Sequence, residues 1–366
     1  LTLSCALGWV VAKISLKLKN KSFITVVISL AFFAIYYFFC FRAQTIISDF
    51  VANAVTYGEK IKGAAYPIYL FGCVALGNGK AMAVVTAVVL ALFGVMWLLL
   101  GRSFLKIATS SGKTERRMYR ETRTQRKSIG AALLGKEFAR FLSSPNYMLN
   151  CGLGVLLLPI SGIVLLIKGR DLMPMLAMAF DNQAGSAAVL LCTAVCVVAS
   201  MNDMAAPSIS LEGKNLWLLQ SLPVKPWQAL RAKLSVQLLL TSIPALFASA
   251  CAAIAGGLSA IETLLTLLVP QAVILMMALL NLTVGLKMPN LTWTSEIVPI
   301  KQSASVMIGL LGGMIYGILP IAGFLMFGHR MGANAYMACF MALTLAISAA
   351  LYAWLKKRGC ALLATL

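Results

Sequence analysis

Apolar stretches close to 20 residues long recur along the chain, separated by polar or basic intervals. At about 1.5 Å per residue, such a stretch crosses the roughly 30 Å hydrocarbon core of a bilayer. The stretches are too long and too uniformly apolar for barrel strands, and lipid offers the backbone no hydrogen-bond partners. The pattern predicts an all-α fold, a polytopic transmembrane helical bundle. Its spans fall at about 22–41, 81–101, 146–168, 185–203, 234–256, 261–285, 303–327 and 335–355. A partial span, 1–12, opens the chain on Leu1 and reads as a truncated first helix, so about nine spans are expected.

The polar intervals set the organisation. Residues 1–101 form an N-terminal membrane portion with an outer segment at 42–80, inside which 64–76 is apolar but too short to cross and is either re-entrant or on the surface. Residues 102–145 are a basic linker whose middle, 110–128, is poor in apolar residues. Residues 146–366 hold six spans with inner loops at 204–233 and 286–302. Pro159, Pro244, Pro270 and Pro320 fall within spans, where each removes a backbone donor and kinks its helix. Gly309, Gly313 and Gly317 line one helix face, which reads foremost as close bundle packing.

Composition excludes a soluble domain: 60% of residues are hydrophobic, 11% are charged, and the mean hydropathy is +0.89. The net charge of +20 raises the question of a nucleic-acid partner, but its placement answers otherwise. With 102–145 inside, the inner segments hold 24 of the 31 basic residues. The positive-inside rule then puts the C-terminus in the cytoplasm, with attraction to anionic headgroups as a secondary effect and no nucleic-acid role. The nine cysteines are scattered without a CxxC pair, which reads as packing rather than a disulfide framework.

Catalytic chemistry finds little to work with. Gly112-Lys113-Thr114 looks like the tail of a phosphate-binding loop, but Ile107 stands where the earlier glycine belongs and no buried strand precedes it. His329 is the only histidine and is placed in an outer loop, so histidine metal clusters and serine triads are both excluded. No catalytic residue, metal site or bound cofactor is expected. The eleven acids all fall in loops or near span ends, with Asp203 and Glu262 nearest the bilayer. Ion coupling usually needs an ionisable group at mid-membrane. The energy for transport is therefore expected from outside the chain.

Three inner segments are distinctive. Asn215 to Leu222 predicts a short helix with Leu216, Leu219 and Leu222 on one face, broken by Gly213 before it and by Pro223 and Pro226 after it. Such a helix serves either as an interfacial element or as a docking helix for a partner. Lys136, Glu137, Phe138, Phe141 and Leu142 form a second such segment, and Pro289 to Glu296 followed by Lys301 and Gln302 a third.

The phrase Ser210-Leu-Glu-Gly-Lys-Asn-Leu-Trp217 with Ser221-Leu222-Pro223 resembles the inner loop of bacterial ABC-2-type exporter permeases, notably those of Firmicutes. Pro289, Asn290, Trp293, Glu296, Lys301, Gln302 and Ser303 are similar to a later phrase of that family, and Lys136-Glu137 through Ser143-Ser144-Pro145 to an earlier one. The resemblance implies a multi-pass permease of the bacterial plasma membrane. It would bind a separate cytoplasmic ABC ATPase, which carries the ATP, and pair with a second permease copy or half. Glu212, Gly213, Lys214, Trp217, Ser221, Leu222 and Pro223 would then form the ATPase-facing loop, with Trp217 as anchor and Glu212 and Lys214 steering. Lys136, Glu137, Phe138, Trp293, Glu296 and Lys301 would make secondary contacts. The competing reading is an ion-gradient-driven secondary transporter or channel; an intramembrane enzyme comes third.

Overall fold

The computed structural model describes residues 5, 21–53, 66–109, 128–179 and 185–366, and among them every regular element is helical. Apart from Cys5, the expected first span at 1–12 lies outside these residues, as do the Gly112-Lys113-Thr114 segment and most of 110–128. The chain divides into two compact units between Thr124 and Gln125.

The first unit contains α1 (Lys21–Ala52), α2 (Tyr66–Ala75) and α3 (Gly79–Thr109), with α2 packed on α3. Large apolar side chains such as Phe32, Phe41, Leu90 and Trp97 stand exposed on α1 and α3. In water such faces would be costly; in hydrocarbon they are neutral, because lipid tails are as apolar as the side chains. The segment expected to be re-entrant or on the surface contains the ten-residue α2.

The second unit begins with α4 (Ile129–Ser143), α5 (Pro145–Cys151) and α6 (Leu153–Ala179), followed by α7 (Ser186–Ser200). A buried non-helical stretch, 201–209, leads to a tight turn at Ser210–Asn215 and the six-residue α8 (Leu216–Ser221). The long helices α9 (Pro226–Gly256) and α10 (Ala260–Lys287) form the centre of the bundle. A wide helical turn, Val298–Gln302, precedes α11 (Ala304–Met331) and α12 (Ala333–Trp354), and a second wide turn, Leu355–Gly359, joins α12 to α13 (Cys360–Thr365). His329 therefore sits in the last turn of α11 and not in a loop.

Local sequence sets several boundaries. Ser128, Ser144 and Ser303 cap α4, α5 and α11 through their side chains. Ser259 and Glu262 form a reciprocal capping box on α10, which places Glu262 at an exposed helix start. Pro226 opens α9 as its position predicts. The sharpest break comes at a glycine: α5 and α6 bend by 52° around Gly152, where an added Cβ would lie 2.6 Å from the Phe141 ring.

Six described helices are long and apolar enough to cross a membrane, or seven if the bent α5–α6 pair is one span. This corrects the expectation of about nine. The expected span at 185–203 is the 15-residue α7, which unwinds at Met201, and 1–12 is not described apart from Cys5. Gly309 approaches Asn281 of α10, while Gly313 and Gly317 meet α7 at Ser200 and Val197, so the glycine face does serve packing.

Candidate functional site

The three phrases singled out in the sequence meet at one end of the second unit. Their meeting point is a knot of five charges drawn from α4, the turn at 210–215 and α9, with Glu137, Glu212 and Lys233 buried at its centre. Lys233 on α9 donates to Glu212 at 2.7 Å, to Glu137 at 2.9 Å and to the Ser208 carbonyl at 3.0 Å. Arg140 donates to Glu212 at 2.6 Å and to Glu137 at 3.3 Å, and Lys136 reaches Glu212 at 3.1 Å. The Lys233 side chain is 1% exposed, so all three of its ammonium hydrogens are spent inside the protein.

Helical spacing explains the contribution of α4. Lys136, Glu137 and Arg140 share adjoining positions over one turn, while Leu133, Glu137 and Phe141 form its buried stripe. Burial opposes ionisation of Glu212. The adjacent Lys233 charge, with the hydrogen bond and charge of Arg140, outweighs that and holds its carboxyl well below the usual carboxylate range. For Arg140, burial works against the charged form, but the Glu212 hydrogen bond and the two carboxylates raise its pKa above the ordinary value.

The later phrase locks onto the same turn. The Trp293 indole N–H donates to the Ser210 carbonyl, and the Asn290 N–H donates to the Ser210 hydroxyl at 3.0 Å. Gly213 has φ 52° and ψ −137°, and an added Cβ would lie 3.2 Å from three atoms of the Trp293 indole. Only a glycine suits both the positive φ and the close approach. Ser144, between α4 and α5, donates to Glu296 at 3.0 Å, while Lys301 is exposed and Phe138 packs at the edge of the Phe141–Tyr147 cluster.

The short helix α8 presents two unlike faces. Leu216 and Leu219 are buried against the bundle, and Gln220 donates to the Leu363 carbonyl of α13 at 3.0 Å. Trp217 is 63% exposed and Leu218 53%, with Lys214, Ser221, Leu222 and Pro223 exposed around them. A small groove beside α8 is lined by Leu219, Gln220, Val224, Ala229 and Leu363. The expected docking residues therefore separate: Trp217, Lys214 and 221–223 face outward, while Glu212 and Gly213 are buried structural members of the turn.

Sequence reasoning missed the interior of this end. Residues 202–210 are all buried. Gln237 of α9 holds the stretch by donating to the Asn202 carbonyl at 2.7 Å and accepting from the Ala205 N–H at 2.9 Å. The Tyr147 hydroxyl donates to the Met204 carbonyl at 2.6 Å. Asp203 is 1% exposed, so this acid does not lie at a lipid interface. Among the described residues, no cluster of three or more histidine, cysteine or acidic side chains could hold a metal ion. Together these contacts make one cross-linked platform in which α8 is tied to α4, α9 and α13.

No curated protein and no solved structure matches the chain. A family model described as "membrane protein of 12 TMs" matches residues 2–353. That match covers nearly the whole chain, including the charge knot and α8, so the chain belongs to this family of polytopic membrane proteins.

Proposed function

We propose that the chain is the membrane permease of an ATP-driven exporter of the ABC-2 type, set in a bacterial plasma membrane with its basic end toward the cytoplasm. A separate ATPase would supply the energy. The observation that carries this reading is the exposed Trp217 on α8, because the helix is pinned to the bundle by its opposite face. A large, rigid aromatic on a braced helix suits an interface anchor, since such residues contribute much of the energy of protein–protein contacts.

The charge knot supports a transmission role. A push on α8 acts directly on the turn at 210–215, and Glu212 in that turn grips both α4 and Lys233 of α9. Because α9 packs along α6 and α10, displacement at the platform would move the bundle as a unit. The substrate is bounded only as a solute whose path runs through this helical bundle.

The test is copurification of the wild-type protein with its ATPase, and the ATPase activity of that complex, compared with Trp217→Ala. Loss of the complex, with the variant still monodisperse in detergent, is the expected result. An unchanged complex and unchanged activity would sink the docking role. The buried Asp203 favours a second reading, a gradient-driven transporter, which requires substrate flux in liposomes without any ATPase.

A further inference from the structure

Three interruptions of helical structure converge on Asp203. One is the bend at Gly152 between α5 and α6, the second is the unwinding of α7 after Ser200, and the third is the wide turn at Val298–Gln302. Cys151 joins them: its carbonyl accepts from the Asp203 N–H at 3.2 Å, and its thiol donates to the Ile300 carbonyl at 3.8 Å. Broken helices meeting inside a membrane bundle free backbone groups and create polar sites where apolar packing would otherwise continue.

The side chains there are under-satisfied. Asp203 is 1% exposed, and its Oδ1 has no hydrogen-bond partner. Asn202 is fully buried, and neither atom of its amide has a partner. Both residues pack against the same bend: Asp203 meets Cys151, and the Asn202 amide lies against Gly154, where a Cβ would fall 2.8 Å from Asn202 Oδ1. Buried polar groups are almost always paired, so two adjacent exceptions call for an explanation.

The charges around Asp203 narrow the choice. Cys151 and Tyr147 of α5 are the titratable groups facing it. Gln237 of α9 is neutral, and Gly154 of α6 lies against the neighbouring Asn202 amide. Buried Lys233 and half-buried Arg140 are committed to Glu137 and Glu212, and no ion pair to Asp203 forms among the described residues. An ionised carboxylate with no cation beside it is costly to bury, whereas a neutral acid is far less so. An alkali ion would need several oxygen ligands and room for itself, but Asn202 sits directly on a glycine. A proton needs neither.

We propose that Asp203 is a reversible proton-binding site at the junction of the three helix breaks. Taking up a proton from water forms an O–H bond and turns an acceptor-only carboxylate into a neutral donor. The neighbouring Asn202 leaves its side-chain amide oxygen without a partner. Releasing the proton leaves a charge that this packing does not accommodate. Protonation is thereby linked to how the 201–209 stretch seats against the α5–α6 bend. The inference is independent of the ATPase reading and adds a proton dependence to the bundle, whatever drives it.

Infrared difference spectroscopy tests it directly on the full chain in detergent. Spectra recorded at acid and alkaline pH should differ by a C=O stretching band of a buried, protonated carboxylic acid. The band should be lost in Asp203→Asn and retained in Glu262→Gln, which alters a partly exposed acid in the α10 capping box. A band that survives in Asp203→Asn, or no titrating band at all, overturns the proposal. If Asp203→Asn aggregates, Asp203→Glu must shift the band, and an unshifted band is equally fatal. Repeating the titration in high sodium should leave it unchanged; displacement by sodium would make this a cation site and overturn the assignment to a proton.

Discussion

Lys233→Met removes the centre of the charge knot while keeping the length and apolar stem of the side chain. In the native protein the ammonium meets Glu212 at 2.7 Å and Glu137 at 2.9 Å, with its side chain 1% exposed. At an effective dielectric of about 20, each contact is worth about 6 kcal/mol of gross attraction, and desolvating the three charges offsets most of it. The variant keeps two buried carboxylates, and Glu137 then has only Arg140 at 3.3 Å. Removing one partner of a buried pair typically costs about 3–5 kcal/mol, mainly as the penalty of the charge left behind. Lys136→Ala is the internal control. Its contact to Glu212 is 3.1 Å, but its side chain is 41% exposed, so solvent screening limits the loss to about 1 kcal/mol or less. Adding Glu137→Gln to Lys233→Met should recover about 1–3 kcal/mol, because the stranded charge is gone. Unfolding from mild into denaturing detergent, followed by tryptophan fluorescence, gives the differences. If Lys233→Met proves no more destabilising than Lys136→Ala, the knot is not a structural centre and the transmission argument falls with it.

Other predictions probe the same end. Gly213→Ala puts a side chain at φ 52° against the Trp293 indole and should cost about 1–3 kcal/mol in the same assay, so stability within error of wild type would contradict the tight turn. Gly285→Ala drives a methyl group into the Ala206 carbonyl and should destabilise by about 3 kcal/mol or more, since neither backbone can retreat; normal yield and melting would show that 201–209 is not wedged against α10. The pKa of Glu212 is depressed by folding, so its stabilisation is complete above the unfolded carboxyl range and fades only as pH falls toward the lower folded value. Melting temperatures should therefore show no Glu212-dependent loss from neutrality down to about pH 5, and a loss in stronger acid that Glu212→Gln lacks. A decline already complete by pH 5 and absent from Glu212→Gln would refute the depressed carboxyl.

Much of the local structure was legible because it depends on neighbours in sequence. Residues 215–222 read as a short helix, and α8 occupies Leu216–Ser221, held between the turn at Gly213 and Pro223 as expected. Pro226 at the opening of α9 was equally readable. The knot was not. Lys136 and Glu212 are 76 residues apart and Lys233 and Glu137 are 96 apart, so only the folded bundle decides that these charges meet. The resemblance to exporter permeases implied a steering role for Glu212 on a loop, yet a turn tight enough to bury Gly213 also turns Glu212 inward.

One signal was present and passed over. Counting Lys233 as an inner-loop charge placed the start of the span at 234, whereas α9 begins at Pro226 and carries Lys233 two turns into the helix. Within it, Lys233, Gln237 and Thr241 recur every fourth residue among Ala, Leu and Val, which stacks them on one face. A helix in lipid turns such a polar face inward, because hydrocarbon offers those groups nothing. The structure agrees, with Lys233 2% exposed and Gln237 and Thr241 1% each. Lys233 then needs carboxylates, and Gln237 needs free backbone amides and carbonyls. The bundle supplies the first as Glu137 and Glu212, and the second by unwinding α7 at the place where Asp203 is buried. The polar stripe of α9 thus ties the charge knot and the stretch that carries Asp203 to one face of one helix.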